Sequence, residues 1–314
     1  MRFATFNHHG AEYCGVVTGD GLHPFDAGVD LLGLVRLGLP ELLEIGARHV
    51  TRTAPLDLSE VRLLPPLQPP TVRDFMTYER HLEGVARGYG DSVPEAWYAE
   101  PVFYFSNPYS MIGAHDEVRI PPGCRLFDFE LEVAAVVGAP GRDLTPEQAR
   151  EHILGYTLFN DWSARDLQGR EMQVKLGPSK GKDSAATLGP YLVTADELEP
   201  RRNAEGFLDL ELTVDVNGVE VGRDRSANMA WTFEELAAHA SRGTVVRSGD
   251  LLGSGTCGNG GCLAELWGRN GERTPPPLQP GDIVTMTAAG IGTVSNTVIL
   301  GIAPVHVPPA RRRS

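Results

Sequence analysis

LFDFELEVAAVV, residues 126–137, is an apolar run carrying two glutamates two positions apart, Glu130 and Glu132. A β-strand sends residues i and i+2 to one face, so both carboxylates point one way while Phe129, Leu131 and Val133 point the other. Like charges side by side repel, and a sheet face keeps them only with compensation. Taken alone, the segment reads equally as an exposed strand face of alternating polarity or as half of a divalent-cation site. The next acidic segment favours the cation.

That segment is NDWSARDLQ, residues 160–168, which follows GYTLF, a short apolar run that reads as a buried strand. SARDLQG reads as a short helix or turn closed by Gly169. At about 100° per residue, Asp161, Arg165 and Gln168 would fall within about 60° of one another if the segment is helical. One face then carries an acceptor, a fixed cation and an amide. Glu130, Glu132 and Asp161 are the candidate ligands, with Asp128 on the same strand face as a spare that reads better as a support behind them. These are carboxylates, without a thiolate or an imidazole pair, so the expected ion is hard: Mg²⁺ first, with Mn²⁺ or Ca²⁺ as alternatives.

Several carboxylates around one doubly charged ion leave the site negative, and an anionic substrate needs fixed cations opposite. Arg165 is one. Lys182, in the Pro/Gly-framed LGPSKGKDSA, is a second, whereas Lys175 and Lys180 read as solvated. A lone histidine is more often structural than catalytic. His81 alone has a promising context, because His8, His9, His115 and His152 show neither H-x-D nor H-x-x-x-H spacing. A neutral His81 could deprotonate water, and its orienting carboxylate is expected at a distance, at Glu265, since Glu83 lies on the wrong side of a helix. GSGTCGNGG, residues 253–261, lacks the Gly-Lys-Ser/Thr ending of a phosphate loop. Two readings stay open there. The turns either offer backbone N–H groups and the Thr256 hydroxyl to a substrate carboxylate, or they are structural.

The chain has 314 residues, 41% of them hydrophobic, which suffices for one large domain and a smaller one. Its net charge of −13 argues against a nucleic-acid surface. Without a stretch of about 20 apolar residues, a membrane partner is not expected either. The opening residues do not read as a signal peptide. Four scattered cysteines fit a reduced, cytoplasmic protein rather than a zinc knuckle.

Residues 1–60 read as a strand pair and one amphipathic helix, and the Pro-rich LLPPLQPPTV, 63–72, as a linker. The expected division is a small N-terminal domain over 1–65, a catalytic domain over 66–308 and a disordered tail over 309–314. TPEQAREHI starts a helix capped by Thr145, with Pro146 in its first turn. LDLELTVDVNGVEVGRDR, 208–225, is a hairpin around Asn217-Gly218. WTFEELAAHASRGTVV reads as a helix, and both DLLGSGTCGNGGCLAELWG and GDIVTMTAAGIGTVSNTV as strands with glycine turns. Many strands with few helices between them give an α+β class rather than a doubly wound parallel sheet.

FDFELEVAAVVG, GYTLFNDWSARDLQ, LGPSKGKD and GSGTCGNGGCLAELWG together resemble the fumarylacetoacetate hydrolase family, over roughly residues 66–305. The resemblance implies a mixed β-roll catalytic domain beside the small N-terminal α/β domain, a homodimer, and a small diketo acid as substrate. Glu130, Glu132 and Asp161 match its metal ligands, and Asp74 matches a fourth ligand of the fumarylacetoacetases. Glu265 matches the acid that orients the catalytic histidine, here His81. Arg165, Gln168, Lys182, Thr256 and Tyr104 match positions that hold substrate oxygens or the oxyanion. Met76 stands where the fumarylacetoacetases carry a tyrosine. The implied activity is metal-dependent hydrolysis of a carbon–carbon bond. Decarboxylation of an oxaloacetate-type acid and isomerisation of a dienoate are the alternatives from the same site, and a non-catalytic keto-acid sensor is a third.

Overall fold

A computed structural model describes residues 1–313; Ser314, the end of the expected tail, lies outside the described residues. The chain opens with three antiparallel strands, β1 (Arg2–His8), β2 (Ala11–Thr18) and β3 (Gly21–Pro24). Two helices follow, α1 (Leu31–Val35) and α2 (Leu39–Val50), where one was expected. The break falls at Gly38, with Pro40 placed in the first turn of α2, where its missing N–H costs little. The Pro-rich stretch 63–72 packs on this layer, with Leu67 buried and the Thr5 hydroxyl donating to the Pro66 carbonyl.

Next come β4 (Val72–Phe75), α3 (Glu79–Tyr89), β5 (Phe103–Ser106) and β6 (Leu131–Val137). Helix α4 (Pro146–His152) begins at the Thr145–Gln148 capping box and leads into β7 (Ile153–Asp161), which is buried throughout. Helix α5 (Arg165–Met172) runs through Gly169, so that glycine does not close it. Then follow β8 (Ala186–Thr194), α6 (Ala195–Leu198) and the expected hairpin, β9 (Glu211–Val216) and β10 (Val219–Arg225). The last elements are α7 (Phe233–Ser241), β11 (Leu251–Gly253), α8 (Leu263–Asn270), β12 (Ile283–Ala288) and β13 (Gly292–Ile299). Helix α8 corrects the reading of LAELWG, 263–268, as strand. The glycine turns end just before Cys262, whose sulfur accepts the Glu265 N–H as a helix cap.

The order β3-β2-β1-β8-β7-β6-β11-β4-β5 forms the spine of an eleven-stranded sheet, and β10-β9-β12-β13 with Val118–Arg119 forms a five-stranded one. The class is α+β. Strand β6 runs between two cores. Leu131, Val133, Ala135 and Val137 pack with Leu212, Val214, Met286 and Val294 of the smaller sheet. Ala134 and Val136 pack instead with Phe3, Leu31 and Leu42 under α1 and α2. A strand covered on both faces must be apolar at odd and even positions alike, which explains the near-continuous run. Glu130 and Glu132 lie on the even face, where that run begins.

Candidate active site

Register brings the acids together. In the large sheet Glu132 pairs with Phe159 across β6 and β7, Gly253 of β11 pairs with Asp74 of β4, and Asp74 pairs with Tyr104 of β5. Asp161 ends β7 opposite Ala186. Glu130 precedes β6, its backbone N–H donating to Asn160 Oδ1 at 2.9 Å. All four carboxylates are buried. Gly253 makes this crowding possible: a Cβ there would lie 2.6 Å from Asp74 Oδ1 and 3.1 Å from Glu132 Oε2.

Cations meet one side of this cluster. Lys182 Nζ donates to Glu130 Oε2 at 2.5 Å and to Asp161 Oδ2 at 2.6 Å, and Arg165 Nη2 lies 2.7 Å from Glu130 Oε1. Burial would raise the Glu130 carboxyl, but Lys182 and Arg165 outweigh it and hold the group at about 2. The other side has no cation. Burial, then the Asp161 charge, pushes Asp74 up to about 8, and burial, then Asp74, pushes Glu132 well above the carboxylate range. Burial likewise raises Asp161, against the pull of Lys182. Tyr104 OH lies 2.7 Å from Asp74 Oδ2 and also within hydrogen-bond reach of Asp161 Oδ2, so its single proton serves one of two candidate ligands.

Asp74 Oδ1, Glu132 Oε1 and Asp161 Oδ1 are buried without a hydrogen-bond partner. Oxygens of Asp74, Glu130 and Glu132 fall within 4.8 Å of one another. Unpaired buried acceptors are costly, and a doubly charged ion among them answers both the repulsion and the missing partners. An all-oxygen set suits a hard ion such as Mg²⁺, Mn²⁺ or Ca²⁺. His81, Glu130 and Cys262 also lie within 4.8 Å of one another, but that group contains none of the unpaired carboxylate oxygens. The convergent oxygens of Asp74, Glu130 and Glu132 fit a divalent cation, and Asp161 brings a further unpaired oxygen.

His81 reaches this cluster from α3, and Glu265 stands behind it on α8. Glu265 Oε2 lies 3.6 Å from His81 Nδ1, ion-pair reach rather than a hydrogen bond, and Cys262 Sγ lies at 3.8 Å. The other Glu265 oxygen accepts the Gly260 N–H at 3.2 Å and lies 2.7 Å from Arg269. The two helices come this close through glycines, since a Cβ on Gly268 would overlap the Gly84 carbonyl oxygen. The Gly255 N–H is taken too, by Glu132 Oε2 at 3.0 Å. These two amides of the glycine loop therefore hold protein carboxylates, which departs from the substrate-carboxylate reading.

A cavity of about 400 Å³ joins these groups. Asp74, His81, Tyr104, Glu130, Glu132, Arg165, Gln168, Lys182 and Thr256 line it, together with the apolar Met76, Val85 and Met172. Asp161 stands behind, and Glu265 is fully buried behind His81. Arg165 Nη1 donates to Gln168 Oε1 at 3.1 Å, which fixes the amide with its N–H₂ as the free end. Lys175 and Lys180 are exposed, as expected. Sequence reading missed Gly253 and Asn160. Gly253 sits in the glycine-rich segment already singled out, while Asn160 carries no signal before the register is known.

The model of the fumarylacetoacetate (FAA) hydrolase C-terminal family matches residues 71–299. The chain belongs to that family. It is 30% identical over 307 residues to a fumarylacetoacetase of Arabidopsis thaliana, covering 77% of this chain and 72% of that one. It is 29% identical over 249 residues to the oxaloacetate tautomerase YisK of Bacillus subtilis (strain 168), covering 77% and 74%. A solved fumarylacetoacetate hydrolase of the psychrophile Exiguobacterium antarcticum shares the fold at TM-score 0.73 and 26% identity, over 96% of this chain and 99% of that one. Among the described residues no helix is long and apolar enough to cross a membrane.

Proposed function

We propose that this family member hydrolyses a carbon–carbon bond in a 1,3-diketo acid of the fumarylacetoacetate or acylpyruvate type. The observation that carries this reading is the His81–Glu265 pair beside a carboxylate cluster that fits a divalent cation. When bound, the ion, Mg²⁺ in our reading, supplies a template and Lewis acid for neighbouring substrate oxygens. His81 takes a proton from water at a ring nitrogen, and the Glu265 charge favours the imidazolium that results. Lys182 has three N–H donors and spends two on Glu130 and Asp161, leaving one for an oxyanion in the cavity. The Gln168 amide and the Thr256 hydroxyl offer two further donors, and Arg165 keeps N–H groups beyond those bound to Asp128, Gln168 and Glu130. Met76, Val85 and Met172 form the apolar wall for the remainder of the substrate.

His81→Ala should lower turnover by about 10²–10⁴-fold while leaving ion affinity nearly intact. Unchanged turnover would remove His81 as the base. An ultraviolet assay of acetylpyruvate, fumarylpyruvate, fumarylacetoacetate and oxaloacetate, with and without Mg²⁺, tests the whole reading. Two product fragments support hydrolysis. Keto–enol conversion without fragments, or carbon dioxide release, supports the second reading, which the likeness to an oxaloacetate tautomerase favours.

We read the working unit as a homodimer. Phe105, Tyr109, Val174 and Leu176 are each more than half exposed, and residues 105–107 and 178–180 line one surface cavity, which supports a covered face near the site. Light scattering giving a monomer mass would remove that part.

A further inference from the structure

We propose that Asp128 is a positioning residue that holds the Arg165 guanidinium at the site by anchoring it to the start of α8. The inference rests on the reading of the cavity as the active site. Asp128 is fully buried, outside the cavity lining, and its two oxygens take four donors from three segments. Oδ1 accepts the N–H of Phe129 and of Leu263, both at 2.8 Å. Oδ2 accepts the Ala264 N–H at 3.0 Å and Arg165 Nε at 2.8 Å.

The arrangement divides the labour. The first N–H groups of a helix have no partner within it, and a carboxylate there is favoured by the helix dipole. Asp128 is therefore fixed by backbone, not by flexible side chains. Arg165 then bonds a rigid point with Nε, while Nη2 pairs Glu130 and Nη1 orients Gln168. Without the Nε anchor, Glu130 is the one remaining carboxylate on the guanidinium, and the fork loses its fixed orientation in the cavity.

Asp128→Asn removes the anchor and one of the two contacts to the start of α8. Asparagine keeps one oxygen for the Phe129 and Leu263 N–H groups but turns an amide N–H₂ against two donors, Ala264 N–H and Arg165 Nε–H. The test is a double-mutant cycle of Asp128→Asn and Arg165→Gln in the Mn²⁺-loaded protein. It reads kcat and KM on the best diketo acid and, by calorimetry, the Kd of oxalate, a probe of oxyanion binding that needs no turnover.

The expected result is a fall in kcat/KM of about 10²-fold for Asp128→Asn, with Mn²⁺ affinity unchanged within about threefold. In the Arg165→Gln background the same substitution should cost little more. A wild-type kcat/KM and oxalate Kd in Asp128→Asn, or losses that multiply in the double variant, overturn the proposal. Asp128→Ser, which turns no amide N–H₂ against Ala264 or Arg165, replaces Asn in the cycle if the first variant does not fold. If neither folds while Arg165→Gln does, Asp128 serves stability and the proposal fails. If the wild type turns over none of the acids, the functional reading fails separately, and the cycle on oxalate Kd still decides Asp128.

Discussion

The two sides of one buried acid cluster differ in a single respect, and almost everything about them follows from it. Glu130 touches Lys182 and Arg165 and is held at about 2; Asp74 and Glu132, equally buried and a few ångströms away, face no cation, and Asp74 is pushed up to about 8. Burial alone does not fix a carboxylate's charge. Its partners do, and of the three unpaired oxygens two, Asp74 Oδ1 and Glu132 Oε1, lie on the side lacking them.

The largest test of this contrast is the same substitution made on both sides. Glu130→Gln leaves Lys182 and Arg165 buried beside a neutral amide, and breaking a buried pair in this way costs about 3–5 kcal/mol. Urea unfolding of the ion-free protein should show that loss. Glu132→Gln should not destabilise the ion-free protein, because burial and Asp74 already favour the neutral form of Glu132 there. It should instead weaken Mg²⁺ or Mn²⁺ binding by about 10–100-fold, read by calorimetry. Equal destabilisation by both variants would erase the distinction.

Gly253→Ala probes the crowding more gently. Its Cβ would press on Asp74 Oδ1 and Glu132 Oε2, so the carboxylates must part, and ion affinity should fall about tenfold with an overpacking cost of about 1–3 kcal/mol. An unaffected affinity would mean that the two acids need not converge.

The most gradual effect is spread over pH, at most about 1.4 kcal/mol per pH unit for each group. Asp74 has a folded value raised above its unfolded one, so the stability it lends the ion-free protein is full below about pH 4 and is lost as pH rises through about 8. Glu130 is the reverse, since its contribution is present above its unfolded value and lost as pH falls through about 2. Ion binding must displace the Asp74 proton, so apparent affinity should rise with pH up to about 8, with proton release in calorimetry across buffers. Affinity independent of pH between 5 and 8 would contradict the raised Asp74.

How much of this was legible in the sequence depends on whether local pattern or tertiary packing carried the information. Glu130 and Glu132 two apart in an apolar run, and Asp161 after a buried strand, are local signals, and so are the Thr145 cap and the Asn217-Gly218 turn. The α+β class followed from the spacing of strands and helices. LAELWG was misread because the glycine turns before it suggest more strand, whereas it forms a helix that packs on α3 with Gly268 against Gly84. Gly253 and Asn160 act through neighbours brought in by β11 and by the loop before β6, which no local window contains. Asp128 was visible as an acid on the right strand. That its oxygens face α8 and Arg165 rather than an ion could be known only once α8 was in place.

The central claim is that the carboxylates of β4, β6 and β7 share one hard cation, and calorimetric titration of Mn²⁺ into the wild type, Glu132→Gln, Asp161→Asn and Cys262→Ser tests it most directly. The account expects one ion per chain in the wild type and in Cys262→Ser, with binding weakened at least tenfold in both carboxylate variants. No binding to the wild type, or binding untouched by loss of either carboxylate, would contradict it.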